Sequence, residues 1–429
     1  MNYQETLAYL YSQLPVYQNI GGRAYKEGLD NSLLLDAYFD QPHKRYKTIH
    51  IAGTNGKGST SHLLAAVLCK AGYKVGLYTS PHLVDFRERI RVNGEKISQH
   101  YVVEFVEKHR EHFEPICPSF FELTMMMAFC YFADEQVDVA IIEVGLGGRL
   151  DSTNIITPDL SVITNISFDH VQFLGNTLEQ IAGEKAGIIK KNTPVVVGEA
   201  KGGVRRVFED KATFLDASVY FVEDDNVILS YAKQGESWIF ETKKYSFLKC
   251  ELGGDYQIKN ASTVLKAVEV LNLLCYDIPV NAVYEGFANV IDLTGLCGRW
   301  QTLQHSPKVI CDTGHNLAGV QYIVNQLKNE SYSRLHIVFG MVNDKDISKV
   351  LSVLPAEAIF YFTQAEIARA LSADDLKKQA GLLLLKGEIF SSVEKAVESA
   401  LQNASYDDLI FIGGSNFIVA EALPLFSVK

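Results

Sequence analysis

Lys57 stands between Gly56 and Gly58, with Gly53 upstream and Ser59 and Thr60 directly after it, in the stretch Ala52-Gly53-Thr54-Asn55-Gly56-Lys57-Gly58-Ser59-Thr60. A lysine in that setting suits a polyphosphate. The glycines let the backbone wrap an anion while several N–H groups point inward at a helix N-terminus. The ammonium neutralises the outer phosphates, and Ser59 or Thr60 offers a hydroxyl to Mg²⁺. The spacing departs from GxxxxGK followed by Ser or Thr, because Ile51 stands where the first glycine belongs and Gly58 separates the lysine from the serine. Context makes the motif credible: the apolar run Lys47 to Ala52 precedes it and a helical pattern follows it. A glycine-rich turn that merely joins strand to helix is the ordinary alternative.

Other residues with chemistry also sit just after apolar runs. Glu143 ends "VDVAIIEV", where a carboxylate is costly to bury without a cation or hydrogen bonds; Mg²⁺ is one partner, and capping a neighbouring loop is the other reading. His170 and Asp169 follow "TNIS", where a packed or hydrogen-bonded loop histidine is the ordinary expectation. Lys185, in "GEKAGIIK", reads as an exposed helical lysine paired with Glu184 or Glu179 unless something demands a metal nearby. Asp312 and His315 follow "KVIC", and Arg299 sits where a guanidinium could reach phosphates.

The elements that must position these residues alternate. Strands over Lys47–Ala52, Tyr73–Thr79, Val137–Val144, Leu160–Ile166 and Pro194–Val197 are nearly continuous in apolar residues, as strands buried on both faces are. From Ser218 to Cys250 the runs shorten and alternate, which predicts an antiparallel patch, and helices follow over 257–274 and 280–290. A second series starts near Arg299: "KVICDTG", a helix over 318–328, "RLHIVFGM", a helix to Leu354, "AIFYFT", and "DLIFIGG" before a last helix. The fold class is therefore α/β: a doubly wound, mainly parallel P-loop domain (1–296) and a smaller Rossmann-like α/β domain (297–429), divided in "DLTGLCG". Open sheets of this kind bind ligands at the carboxyl ends of their strands.

Composition sets the remaining bounds. The chain has 429 residues, 47% hydrophobic, enough for two cores. A net charge of −11 argues against a nucleic-acid partner. The longest apolar run, Leu123 to Ala133, is too short to span a bilayer, and "MNYQETLAYLYSQLP" is an amphipathic helix rather than a signal sequence, so a cytoplasmic location without membrane contact is expected. Seven cysteines without a CxxC read as reduced core thiols.

"GTNGKGS" resembles the variant P-loop of the Mur ligase superfamily. With "YTSPHLVDFRERIRVNGEKIS", "SFFELTMMMAFCYF", "IIEVGLGGRLDSTN", "SFDHVQFLG", "GEKAGIIK", "GDYQIKNA", "GR" at 298–299 and "DTGHN" at 312–316, the chain resembles the folylpolyglutamate synthase family, including its bifunctional dihydrofolate synthase form. The resemblance implies an ATP-dependent ligase joining a folate carboxylate to the amino group of L-glutamate through an acyl phosphate. It implies ATP contacts from Thr54, Asn55, Gly56, Lys57, Gly58, Ser59 and Thr60, with Asn260 on the adenine, Arg299 on the phosphates, Asp312 on the ribose or phosphates and His315 on the phosphates. It places Mg²⁺ on Ser59, Ser80 and Glu143 and a second metal on His170, with a carbamylated Lys185 meeting the metal; a monovalent cation is a further candidate. Lys57, Glu143, His170, Lys185, Asp312 and His315 form the expected catalytic set. The family reads Pro-Gly-Arg and DGAHN where this chain has Cys297-Gly298-Arg299 and Asp312-Thr313-Gly314-His315-Asn316, which leaves the local turns open.

For the folate, Phe86 is a candidate stacking surface and Arg87 or Arg89 a carboxylate contact. Arg149-Leu150-Asp151 resembles members that accept dihydropteroate. The expected partners are small molecules only: ATP, glutamate and a reduced folate or dihydropteroate, bound by a monomer whose two domains close to exclude water. A peptidoglycan Mur ligase would carry a further domain before the P-loop, and only about forty-five residues precede the first strand here. A GTPase is disfavoured because "MVNDKD" lacks the NKxD guanine signature. A non-catalytic ATP-binding module is the remaining alternative class.

Overall fold

Lys47–Ala52 places isoleucines at alternate positions and is buried from its second residue onward, so both its faces need cover; it forms strand β1. The computed structural model describes residues 1–14, 28–343 and 346–426. Pro15 of the expected first helix and Asp344 and Lys345 of "MVNDKD" lie outside them. Backbone contacts divide the chain into two units. The first comprises Met1–His82, Phe86–Leu252 and Tyr256–Leu296; the second comprises Leu83–Asp85, Gly253–Asp255 and Cys297–Lys429.

In the first unit β1 is joined by β2 (Val75–Tyr78), β3 (Ile90–Val92), β4 (Glu95–Lys96), β5 (Val139–Glu143), β6 (Leu160–Ile163), β7 (Val195–Val197) and β8 (Val219–Phe221), in the order β4-β3-β2-β5-β1-β6-β7-β8. Pairing is parallel from β2 to β8, while β3 and β4 add an antiparallel edge. That edge hairpin was not expected. The antiparallel patch is also shorter than expected: β8 belongs to the parallel sheet, and only β9 (Ile228–Gln234), β10 (Ser237–Thr242) and β11 (Leu248–Cys250) form the small antiparallel one.

Helices cover both faces of the large sheet. On one side Leu64 and Val67 of the helix Lys57–Lys70, with Val264 and Val268 of the helix Gln257–Leu273, pack on Ile49, Ile51 and Ile141. On the other, Met126 and Phe129 of the helix Phe120–Asp134 pack on Ala140 and Ile142. Each such fully buried side chain contributes about 1.5–3 kcal/mol. Successive residues of β5 thus face opposite cores, which explains its unbroken apolar run.

The second unit holds a six-stranded sheet of β12 (Gln301–His305), β13 (Lys308–Cys311), β14 (Leu335–Phe339), β15 (Ile359–Phe362), β16 (Gly387–Ile389) and β17 (Leu409–Gly413), in the order β12-β13-β17-β14-β15-β16. Only the β12–β13 pair is antiparallel. Ile310 and Phe411 point into one core and Val309 and Ile410 into the other, so this sheet too is covered on both faces. Among the described residues no helix is long and apolar enough to cross a membrane.

Candidate functional site

Strand register brings the first unit's polar residues together. Ile51 of β1 lies opposite Glu143 of β5, and Ala52 opposite Ile163 of β6. The glycine loop, Glu143 and Thr164 therefore leave the sheet side by side at its carboxyl edge. The loop is fastened to residues 164–167: the Thr54 N–H donates to the Asn165 carbonyl at 2.9 Å, the Asn55 N–H to Asn165 Oδ1 at 2.9 Å, and the Thr164 hydroxyl to the Asn55 carbonyl at 2.6 Å. Gly53 has φ +147°, and a Cβ there would lie 1.8 Å from Thr164 Oγ1, so no other residue fits this approach.

Two ammonium groups converge on one carbonyl. Lys57 Nζ donates to the Gly53 oxygen at 3.1 Å and to the Thr54 oxygen at 3.3 Å; Lys185 Nζ donates to the same Gly53 oxygen at 3.0 Å. Lys185 is 4% exposed, which removes the reading of a surface lysine paired with Glu184. Glu184 instead meets Arg149 at 3.0 Å. Burial, and next the charge of Lys57, bring the Lys185 ammonium down to about 7, so much of it is a neutral amine near neutral pH.

Glu143, also 4% exposed, accepts the backbone N–H of Ser80 at 3.0 Å. Ser59, expected as a metal ligand, is wholly enclosed, and its hydroxyl oxygen accepts from Gln257 Nε2 at 3.1 Å; in this structure it is turned to a protein partner. His170 adopts a left-handed backbone at φ +48°, its N–H bonded to Asp169 Oδ1 at 2.9 Å and its ring Nε2 3.8 Å from that oxygen. Among the described residues no three His, Cys, Asp or Glu side chains cluster as a closed metal cage. A buried carboxylate beside a serine fits Mg²⁺, a hard ion that keeps waters and takes phosphate oxygens. Asn260, expected at the adenine, lies against Gly56, with its Nδ2 donating to Gln257 Oε1 at 2.8 Å.

The expected folate contacts separate. Phe86 is 2% exposed and packs edge-on to Phe120 and His82, so it is a core ring and not a stacking surface. Arg89 is buried as well, donating to His82 Nδ1 at 2.7 Å, whereas the Arg87 guanidinium lies 5.9 Å from the Tyr3 ring centre. Asp151 is buried and accepts the Leu146 N–H at 2.8 Å, the Thr153 N–H at 3.0 Å and the Thr153 hydroxyl. Burial nonetheless leaves its carboxyl above the usual carboxylate range. Asn154 Nδ2 reaches the Arg149 carbonyl at 3.1 Å and the Gly187 carbonyl at 3.0 Å, tying this loop to the end of the helix Leu178–Ala186 that carries Lys185.

Sequence reasoning missed Phe121, a half-buried ring lying where a Gly145 Cβ would meet it at 2.6 Å, with Asp151 3.2 Å from the same point. The capping box of Ser119 and Glu122 around it was the available signal. Gln257, Asn154 and Lys190 were missed too.

In the second unit Asp312, 2% exposed, accepts the Trp300 N–H at 2.8 Å and the Gly314 N–H at 2.7 Å. Arg299 donates to the Thr313 hydroxyl and to the Gly298 carbonyl at 3.2 Å, and His315 Nδ1 lies 3.0 Å from the Thr313 carbonyl. Arg299, Asp312 and His315 are thus gathered at the end of β13. Thr313-Gly314 closes the turn, the threonine as a partner for the arginine.

A parallel sheet with a glycine loop at its carboxyl edge, followed in the chain by a second α/β unit, is the pattern of the Mur ligases. The "Mur ligase middle domain" family matches residues 51–268, and "Mur ligase, glutamate ligase domain" matches residues 298–416. The dihydrofolate synthase/folylpolyglutamate synthase of Bacillus subtilis (strain 168) is 34% identical over 418 residues, covering 92% of this chain and 94% of that protein. The structure of E. coli FolC in complex with DHPP and ADP aligns with a TM-score of 0.86 and 32% identity over 99% of this chain and 97% of that one. The bifunctional enzyme of Yersinia pestis complexed with AMPPNP and Mn ion aligns at 0.83 and 30% over 100% and 98%. The chain belongs to the dihydrofolate synthase/folylpolyglutamate synthase family of the Mur ligase superfamily, whose members are ATP-dependent ligases forming C–N bonds.

Proposed function

We propose that this chain adds L-glutamate to the terminal carboxylate of a tetrahydrofolate or its polyglutamate, and to dihydropteroate, at the expense of ATP. The observation that carries the reading is the pair of ammonium groups drawn to the Gly53 carbonyl beside the buried Glu143 carboxylate. The Lys57 ammonium and the loop N–H groups at a helix N-terminus suit a polyanion.

A carboxylate is a poor acyl donor. Transfer of the terminal phosphoryl group to it makes an acyl phosphate, and the amine of glutamate then forms the C–N bond and expels phosphate. The loop N–H groups hold the triphosphate and Lys57 neutralises its outer oxygens. Ser80 and Glu143 would hold Mg²⁺, which when bound screens the charge on the phosphoryl group. We assign Lys185 to carbamylation: its neutral Nζ attacks CO₂, an N–C bond forms, and the displaced proton goes to solvent, leaving an anion. His170 is assigned to a second metal, Asn260 to the adenine, and Arg299, Asp312 and His315 to the ribose and phosphates. Phe121 and Asp151 take the folate rings, Arg87 and Arg149 its carboxylates. A monovalent cation, a monomeric state and a cytoplasmic location belong to the same reading.

ADP release measured with dihydropteroate plus glutamate, and separately with tetrahydrofolate plus glutamate, tests it. Turnover with both is expected. Turnover with the second alone restricts the enzyme to tail extension, and turnover with neither overturns the reading.

A further inference from the structure

Gln257 is the first residue of its helix, yet its carboxamide does not serve that helix's own N-terminus. It is wholly buried. Its Nε2 donates to Ser59 Oγ at 3.1 Å, and its Oε1 accepts from Asn260 Nδ2 at 2.8 Å. The other end of the Asn260 carboxamide lies over Gly56, its Oδ1 2.2 Å from where a Cβ of that glycine would stand. The chain of contacts therefore runs Gly56, Asn260, Gln257, Ser59. It touches the glycine loop one residue before Lys57 and two residues after it.

Elsewhere the two helices share an apolar core, to which Ala261, Val264, Leu265 and Val268 contribute from one and Leu64, Val67 and Leu68 from the other. Holding the helices together would need only another leucine at 257. Two carboxamides so deeply buried are costly unless they find partners, and Gln257 finds its own in the Ser59 hydroxyl and in Asn260. Gly56 has φ +85°, a left-handed turn with no side chain of its own to hold it in place.

We infer that Gln257 is a positioning residue for phosphate binding: through Ser59 and Asn260 it braces the Gly56–Ser59 turn from behind and sets the height of Lys57 and of the loop N–H groups. The inference rests on the ATP-binding role proposed above for this loop. It predicts that the brace is felt in nucleotide affinity and not in affinity for the folate.

The test is a double-mutant cycle of Gln257→Leu and Ser59→Ala, read by calorimetric titration of ATP and, separately, of tetrahydrofolate into the full-length protein, with thermal melts alongside. Each single variant is expected to weaken ATP about tenfold or more, as loss of a supporting partner does. The double variant should lose no more than the weaker-binding single one, with folate affinity within about twofold of wild type. Additive losses, unchanged ATP affinity, or parallel losses for ATP and folate would each overturn the inference. Should Gln257→Leu fail to fold, the double variant, which leaves no hydroxyl orphaned, and Gln257→Met carry the same comparison. A wild-type protein that does not bind ATP, or whose ATP affinity survives Lys57→Met, would instead sink the underlying reading of the loop.

Discussion

The glycine loop and the loop from Gly145 to Ile156 leave the same sheet edge and treat charge in opposite ways. At the glycine loop the amino groups of two lysines share one carbonyl, each held by main-chain oxygen rather than by a carboxylate. At the second loop the charged group is already served: Asp151 takes Leu146 and Thr153, and Asn154 and Lys190 lash the chain to the neighbouring helix, the Lys190 ammonium on the Asn154 carbonyl at 2.8 Å. An ammonium held on a main-chain carbonyl with no ion pair of its own costs stability, and that cost is returned when a polyanion arrives. A loop that satisfies itself keeps its shape and recognises by surface. On the proposed reading the first loop meets the nucleotide and the second the folate.

That contrast can be broken most sharply at Lys57. Lys57→Met should lower kcat/KM for ATP by about 10³-fold while the melting temperature holds or rises, since a crowded cation is removed. A loss below tenfold would mean the loop does not supply charge to the reaction.

Asp151→Asn tests the other loop. It keeps one acceptor and turns an amide N–H toward donors, so stability should fall by about 2 kcal/mol in chemical denaturation. KM for the folate substrate should rise while KM for ATP stays within about twofold, because the glycine loop is not touched. Equal effects on both substrates would erase the distinction between the loops.

The smallest effect concerns His50, which lies beneath the second loop. It is fully buried on β1, Nε2 at 2.9 Å from the Thr153 hydroxyl, and burial holds it down to about 3 from an ordinary 6.5. Between those values the unfolded chain takes up a proton that the folded chain refuses, so this residue's contribution to stability falls as the pH drops below 6.5. Between pH 8 and 5.5 wild type should lose roughly 1.4 kcal/mol more than His50→Asn does. Parallel stability curves for the two proteins across that range would show that His50 takes up its proton as readily in the fold as in the unfolded chain.

Much of this was legible beforehand. β1 begins and ends where its apolar run does, and Glu143 sits one strand away because parallel pairing aligns strand ends. Long, doubly buried strands announce themselves in composition alone. The hairpin of β3 and β4 did not, because strands of two or three residues carry no period to read. Phe86 and Phe121 are both phenylalanines beside motif residues, and what separates them is packing against Phe120 and His82, which sequence spacing cannot express. Ser59 was read from its place after the lysine; the partner that claims its hydroxyl lies 198 residues away.

The meeting point of Lys57 and Lys185 is a main-chain oxygen, the carbonyl of Gly53. Genetic change can delete either visitor but cannot replace the host, since every amino acid presents the same group there. Drift or engineering can therefore retune the two amines one at a time, while the spot that gathers them is inherited with the polypeptide itself.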